Sequence, residues 1–312
     1  MASPEGKVVR NHAGRRGRCG ASVLAMVSER LPPAMFRARG EQQKASSSGP
    51  QAEDEGSCSQ RPPRCMGDKT VLVTGGGRRL GAATVTGLVE AGWTALVHVR
   101  TATKEAEALL SRLAEAHDHD VGRVISADLA TPEGVQALAN AVLADASVSD
   151  GLGGLVHNAS IFFPSEGEGS PDDMTQARRD LWMLHVEAPV VLTEALAGAL
   201  ARGSGSIVSM VDTSWGKAWP HLGDYSASKA ALRQRTLGWA LDLAPKVRAN
   251  AVAPGAILSA DWEQAAFEET VARLPLQRSG RPEDIASAVR YFLEAPYVTG
   301  QVLAVDGGWS LV

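Results

Sequence analysis

A chain of 312 residues, 44% hydrophobic and 21% charged, has the apolar material for one large globular domain or two small ones. Its 3 cysteines, Cys19, Cys58 and Cys65, lie near the N-terminus, so the rest of the chain carries neither a disulfide framework nor a thiolate metal site; a reducing, cytoplasmic setting without a metal is expected. Of the 31 basic residues 11 precede Met66, against 6 of the 35 acidic ones, and the remaining 20 and 29 give the body a net charge of −9, which excludes nucleic acid as its partner, while no apolar run approaches the roughly 20 residues of a membrane span.

Residues 1 to 66 are rich in Arg, Ser, Gly and Pro, lack sustained periodicity and include the low-complexity stretch Gln42–Gly56, so a disordered extension is expected there. Within it, Arg15-Arg16-Gly17-Arg18 and the apolar Ala21–Val27 resemble a targeting signal, although the apolar part is short and Glu29 and Arg30 follow at once. Met66, just before the first strand, is the alternative start of the protein. From Thr70 onward short β-branched runs alternate with longer helix-period segments, the mark of βαβ units around a parallel sheet. The strands are Thr70–Thr74, Ala95–Val99, Arg123–Ser126, Gly154–His157, Ser206–Val211, Val247–Val252 and Gln301–Val305. Helical segments lie between them at Leu80–Ala91, Lys104–Ala116, Pro132–Leu143, Met174–Ala201, Asp224–Leu243 and Pro282–Leu293. The expectation is one α/β domain over residues 67–312, doubly wound and Rossmann-like, with seven parallel strands and helices on both faces.

The first strand runs into Thr74-Gly75-Gly76-Gly77-Arg78-Arg79-Leu80-Gly81 and then a helix. In that context glycines let backbone N–H groups and a helix N-terminus approach a pyrophosphate. The spacing of Gly75, Gly77 and Gly81 is one residue longer than the general dinucleotide fingerprint, and a glycine-rich turn without a ligand is the bland alternative. The second strand ends in His98-Val99-Arg100-Thr101, with no Asp or Glu to grip the ribose hydroxyls of NAD. Arg100 and Arg78 instead offer two guanidinium groups to a 2′-phosphate, which favours NADPH over NADH.

The fifth strand delivers Asp212 at its carboxyl end, where doubly wound folds place ligands, and Tyr225 and Lys229 follow. Tyr225 and Lys229 are i and i+4 and share a helix face, so an ammonium beside the phenol is expected to bring the tyrosine pKa toward working pH. Taken alone, such a pair also describes an ordinary amphipathic surface helix.

Together with Thr74–Gly81, the segments Asn158-Ala159-Ser160, Tyr225-Ser226-Ala227-Ser228-Lys229 and Asn250-Ala251-Val252-Ala253-Pro254-Gly255 occur in the order of the short-chain dehydrogenase/reductase family, which the chain resembles over essentially everything after Met66. The resemblance implies Tyr225 as general acid, Lys229 on the nicotinamide ribose, Asn158 beside the cofactor, Asp128 and Leu129 at the adenine, and Pro254-Gly255 at the carboxamide. It also implies a homo-oligomer, specifically a homotetramer.

Most of the family has Gly where this chain has Arg79 and Ser where it has Asp212. Pteridine and dihydromonapterin reductases carry Arg and Asp there, and the chain also resembles them at Ser160, Phe162 and Met210-Val211-Asp212. This similarity implies a pterin substrate stacked on Phe162, with Arg79, Ser160, Asp212 and Tyr225 around it. A flat, electron-poor ring gains from an aromatic platform, and reducing its C=N bond requires hydride at carbon and a proton at nitrogen. The alternatives are a carbonyl or 3-oxoacyl reductase using the same Tyr225 and Lys229, and a non-catalytic NADPH-binding regulator. His185 stands where the family usually has an Asn, and the chain ends without the terminal Arg of some pteridine reductases. Trp215, Trp219 and Trp262 fall in the loops expected to line the pocket, with interface or lid packing as their alternative, and packing under a loop is the bland alternative for Phe162 and Phe163.

Overall fold

Along the first strand, β1 (Lys69–Val73), Val71 and Val73 are buried on one side and Leu72 on the other. A strand buried on both faces needs a helical layer on each side. The structure, a computed structural model, describes residues 69–165, 171–216, 219, 221–260 and 263–312. The expected disordered extension, its targeting-like segment and Trp262 lie outside the described residues.

Strands β2 (Trp93–Val99), β3 (Gly122–Ser126), β4 (Gly154–His157), β5 (Ser206–Met210), β6 (Arg248–Pro254) and β7 (Val302–Val305) complete the sheet. Its order is β3-β2-β1-β4-β5-β6-β7, and every neighbouring pair is parallel. The expected seven-stranded, doubly wound architecture is thus the one the chain adopts. The helices are α1 (Arg79–Val89), α2 (Thr103–Ala116), α3 (Pro132–Leu143), α4 (Pro171–Trp182), α5 (Ala188–Gly203), α6 (Gly223–Asp242), α7 (Gln264–Arg273) and α8 (Pro282–Glu294).

Val71, Val73 and Val97 pack with Val85 and Leu88 of α1, Leu109 of α2 and Ile285, Val289 and Phe292 of α8. Leu72, Leu96, Leu155 and Ile207 meet α3, α5 and α6 on the other face through Leu138, Leu196 and Trp239. At about 2 kcal/mol for each fully buried Leu, these two layers dominate stability and fix the register of the strands. The chain winds outward from β1 to β3, then returns to β4 on the other side of β1. That reversal opens a cleft at the carboxyl ends of the strands, and ligands of open α/β sheets bind there.

Three expectations are corrected. The single helix Met174–Ala201 is instead α4, a π turn over Met183–Glu187, and α5. Pro189 explains the interruption, because it offers no N–H to the carbonyl four residues back, at His185. The continuous stretch Asp172–Gly203 is also long and apolar enough to cross a membrane by length and composition, where no such run was expected. Its apolar side is nonetheless covered, since Leu192, Leu196, Ala199 and Leu200 are buried in the core. Helix α7 was not anticipated; none of its residues is buried, and its apolar face is short, Phe267 and Val271 one turn apart.

Candidate active site

The turn after β1 is held by backbone and small side chains. Gly75 adopts φ +65°, and a Cβ there would lie 2.9 Å from the Ala159 Cα. A Cβ on Gly81 would lie 2.1 Å from the Gly75 carbonyl oxygen, so neither position has room for a side chain. Asn158 donates from Nδ2 to the carbonyls of Thr74 (2.8 Å) and Gly75 (3.1 Å), while Thr74 Oγ1 accepts the N–H groups of Asn158 (2.9 Å) and Ala159 (3.0 Å). From below, His98 Nδ1 accepts the Gly75 N–H at 3.2 Å and Nε2 donates to the Ala127 carbonyl at 3.1 Å. Burial lowers the His98 pKa and so favours the neutral ring that this arrangement requires.

Beyond the turn a cavity of about 260 Å³ is lined by Gly77, Arg78, Arg100, Thr101, Asp128 and Leu129, among others. Arg78 does not stand alone in it: its guanidinium pairs with Glu105 of α2. Arg79 takes φ +51°, in the left-handed region that favours glycine. Its side chain reaches away from the turn and donates to the carbonyls of Leu258 (3.0 Å) and Ser259 (3.2 and 3.3 Å).

A larger cavity of about 540 Å³ continues past Ser160. Asp212, Tyr225, Lys229 and Pro254 line it together with Phe162, Trp219 and Trp309. Asp212 follows β5 and accepts the Ser214 N–H at 2.7 Å, while Tyr225 O–H donates to its other oxygen at 3.3 Å. Phe162 meets the Tyr225 ring edge-on, with centroids 4.8 Å apart. On α6, Tyr225 and Lys229 share the buried face as anticipated, but Lys229 Nζ donates to the Met210 carbonyl at 2.9 Å.

Electrostatics depart from expectation at the tyrosine. Burial and then the Asp212 charge push the Tyr225 hydroxyl well above its ordinary range, whereas an approach toward working pH was anticipated from Lys229. Burial also lowers Lys229 to about 8, with Asp212 opposing. The Asp212 carboxyl is pushed up by burial against its bonds to Ser214 and the charge of Lys229. His185, in the π turn, is buried and held far below its ordinary pKa, chiefly by burial.

The sequence-derived candidates therefore gather around the two cavities, except Gly255, which lines neither and lies where a Cβ would meet Asp306 at 2.6 Å. Trp219 lines the larger cavity, whereas Trp215 is exposed and stacks on Arg233. Glu263, Ala266, Phe267 and Thr270, which form one wall, were missed, as were Trp309 and Ile257. Their one visible signal was Phe267 in an otherwise polar segment.

Residues 77–310 match the sequence model of the family described as Enoyl-(Acyl carrier protein) reductase, and the chain belongs to the short-chain dehydrogenase/reductase family. Among individual relatives, dihydromonapterin reductase of Escherichia coli strain 536 is 32% identical over 246 residues, covering 77% of this chain and 96% of the relative. FolM alternative dihydrofolate reductase 1 from Brucella canis, solved with NADP, is 33% identical with a TM-score of 0.68, covering 78% of this chain and 95% of its own. A blue fluorescent protein from a metagenomic library, solved with NADPH, is 32% identical with a TM-score of 0.68, covering 77% and 97%.

Proposed function

We propose that this protein is an NADPH-dependent pterin reductase that reduces a C=N bond of a dihydropteridine. The observation that carries this assignment is Asp212, a carboxyl raised in pKa by burial, hydrogen-bonded to Tyr225 in a cavity that Phe162 also lines. The residues around the smaller cavity suit the cofactor that the Brucella relative holds. Gly75 and Gly81 leave backbone where a side chain would intrude, and Arg78 and Arg100 supply cations for a 2′-phosphate with no carboxylate in the ribose position after β2. Asp128 and Leu129 hold the adenine end, Asn158 braces the turn, and Lys229 and Pro254 hold the nicotinamide end. When bound, the cofactor supplies hydride.

The chain's own residues supply the proton and the orientation. Phe162 offers a ring on which a flat pterin stacks. A hydrogen bond joins Tyr225 to Asp212, and burial, by raising both pKa values, favours the protonated form of each, so the pair carries the proton. Once the proton has left, Lys229 stabilises the resulting anion. A ketone or acyl thioester would gather negative charge on oxygen beside Asp212, which is unfavourable for a carboxylate, whereas a pterin presents N–H donors to it. Carbonyl reduction is for this reason the second reading. A homotetramer in the cytoplasm belongs to the same proposal, and light scattering on the full chain tests the assembly.

The deciding experiment follows NADPH oxidation with dihydrobiopterin or dihydromonapterin, beside an acetoacetyl thioester and simple ketones. Pterin-dependent turnover is expected, falling at least about tenfold in Asp212→Ser with NADPH binding retained. Activity on carbonyl compounds alone overturns the assignment.

A further inference from the structure

His185 departs from the family, stands in the π turn imposed by Pro189, and has no part in the proton step described above. Its hydrogen bonds fix which ring nitrogen carries the proton. The Ile161 N–H points at Nε2 from 3.2 Å, and a backbone N–H can only donate, so Nε2 is the lone-pair side. The proton therefore sits on Nδ1, 2.8 Å from Ser228 Oγ. Ser228 donates its own proton to the Tyr225 carbonyl at 2.7 Å and is free to accept from Nδ1. Ser160 Oγ lies 2.9 Å from Nε2 and 3.4 Å from the Ile161 carbonyl, and the shorter contact makes it the donor to that nitrogen. Burial holds the ring neutral, which keeps Nε2 unprotonated.

Ser160 lines both cavities. With its proton on His185, the Ser160 oxygen offers its lone pairs to the cavity, where Tyr225 also lies beside it. Asp212 is likewise an acceptor whenever it is ionised. We propose that His185 is a specificity-determining residue: by holding Ser160 as an acceptor, it makes the cavity select ligands with N–H donors along one edge over ligands that present carbonyl oxygens. The usual Asn could turn either its oxygen or its amide N–H toward that serine, whereas the imidazole here is locked. This role rests on the pterin assignment for the class of ligand, but the hydrogen-bond order is measurable without turnover.

The test uses the full chain with NADP+ and compares the dissociation constants of a diaminopteridine and the corresponding dioxopteridine by calorimetry. The native protein is expected to prefer the diamino ligand, and His185→Phe, similar in size but without a lone pair, to lose about tenfold of that preference. Adding Ser160→Ala to His185→Phe should cost no further preference. An unchanged preference in folded His185→Phe overturns the role, as does a further tenfold loss in the double variant. Should that variant fail to fold, the nitrogen-15 resonances of the native imidazole decide: a protonated Nδ1 and bare Nε2 are expected, and a protonated Nε2 overturns the role. If the tautomer and the preference hold but no pterin is reduced, the pterin assignment alone has failed.

Discussion

At the cofactor end of the cleft the wall is the backbone turn after β1, braced by the Asn158 amide and the His98 ring, all from β1, β2 and β4 or the residues just after them. At the substrate end it is made by side chains that arrive separately, Phe162 after β4, Asp212 after β5, Tyr225 from α6 and Phe267 from α7. A wall made of backbone has few residues that can change and little tolerance when one does. A wall made of side chains can change its chemistry one residue at a time while the sheet beneath it stays the same.

Substitutions on the two sides should separate accordingly. Tyr225→Phe is expected to lower kcat about 10²- to 10⁴-fold while leaving the NADPH dissociation constant within about twofold, read by fluorescence titration. A matching loss of NADPH affinity would erase the distinction between the two ends. Gly81→Ala should do the reverse, because its Cβ would meet the Gly75 carbonyl at 2.1 Å. At about 1–3 kcal/mol of overpacking, NADPH should bind roughly tenfold more weakly and the unfolding midpoint should drop, both measurable by calorimetry.

Acidity gives a third, smaller contrast. Lys229, lowered to about 8 from 10.5, is charged below that pH and neutral above it. The value of kcat/KM should therefore decline above about pH 8, and the decline should be absent in Lys229→Arg, whose charge does not titrate in that range. The same shift means that the folded chain binds fewer protons than the unfolded one between about 8 and 10.5. The stability cost of burying this ammonium is thus fully present below pH 8 and shrinks as pH rises through that window. Smallest is the effect expected at His98: replacing it by Leu removes the acceptor for the Gly75 N–H and should weaken NADPH about fivefold. An unchanged dissociation constant would mean that the turn holds its shape without the ring.

Much of this was legible in the sequence where the signal is local. The strand, glycine turn and helix around Thr74–Gly81 lie in one short window, and Tyr225 and Lys229 are one helical turn apart. What escaped depends on distance or on weak periodicity. The pairing of Arg78 with Glu105 joins a turn to a helix 27 residues away, and nothing in either segment announces it. Helix α7 escaped because its apolar face spans only Phe267 and Val271, too short for a period to show. His98 reads as an ordinary strand residue until the turn is seen resting on it, and His185 reads as a bare substitution until Pro189 is seen to widen the helix around it.

Arg79 joins the two ends, and its backbone is the one part of the turn that resists its own side chain. Holding an arginine at φ +51° costs about 1 kcal/mol, a cost that glycine would not incur. Its three donations to Leu258 and Ser259 are exposed and return about as little. Arg79→Gly should therefore melt no lower than the native chain while losing turnover, checked by a thermal scan beside the pterin assay. A laboratory selecting this protein for heat resistance and another selecting it for speed would disagree about this single position.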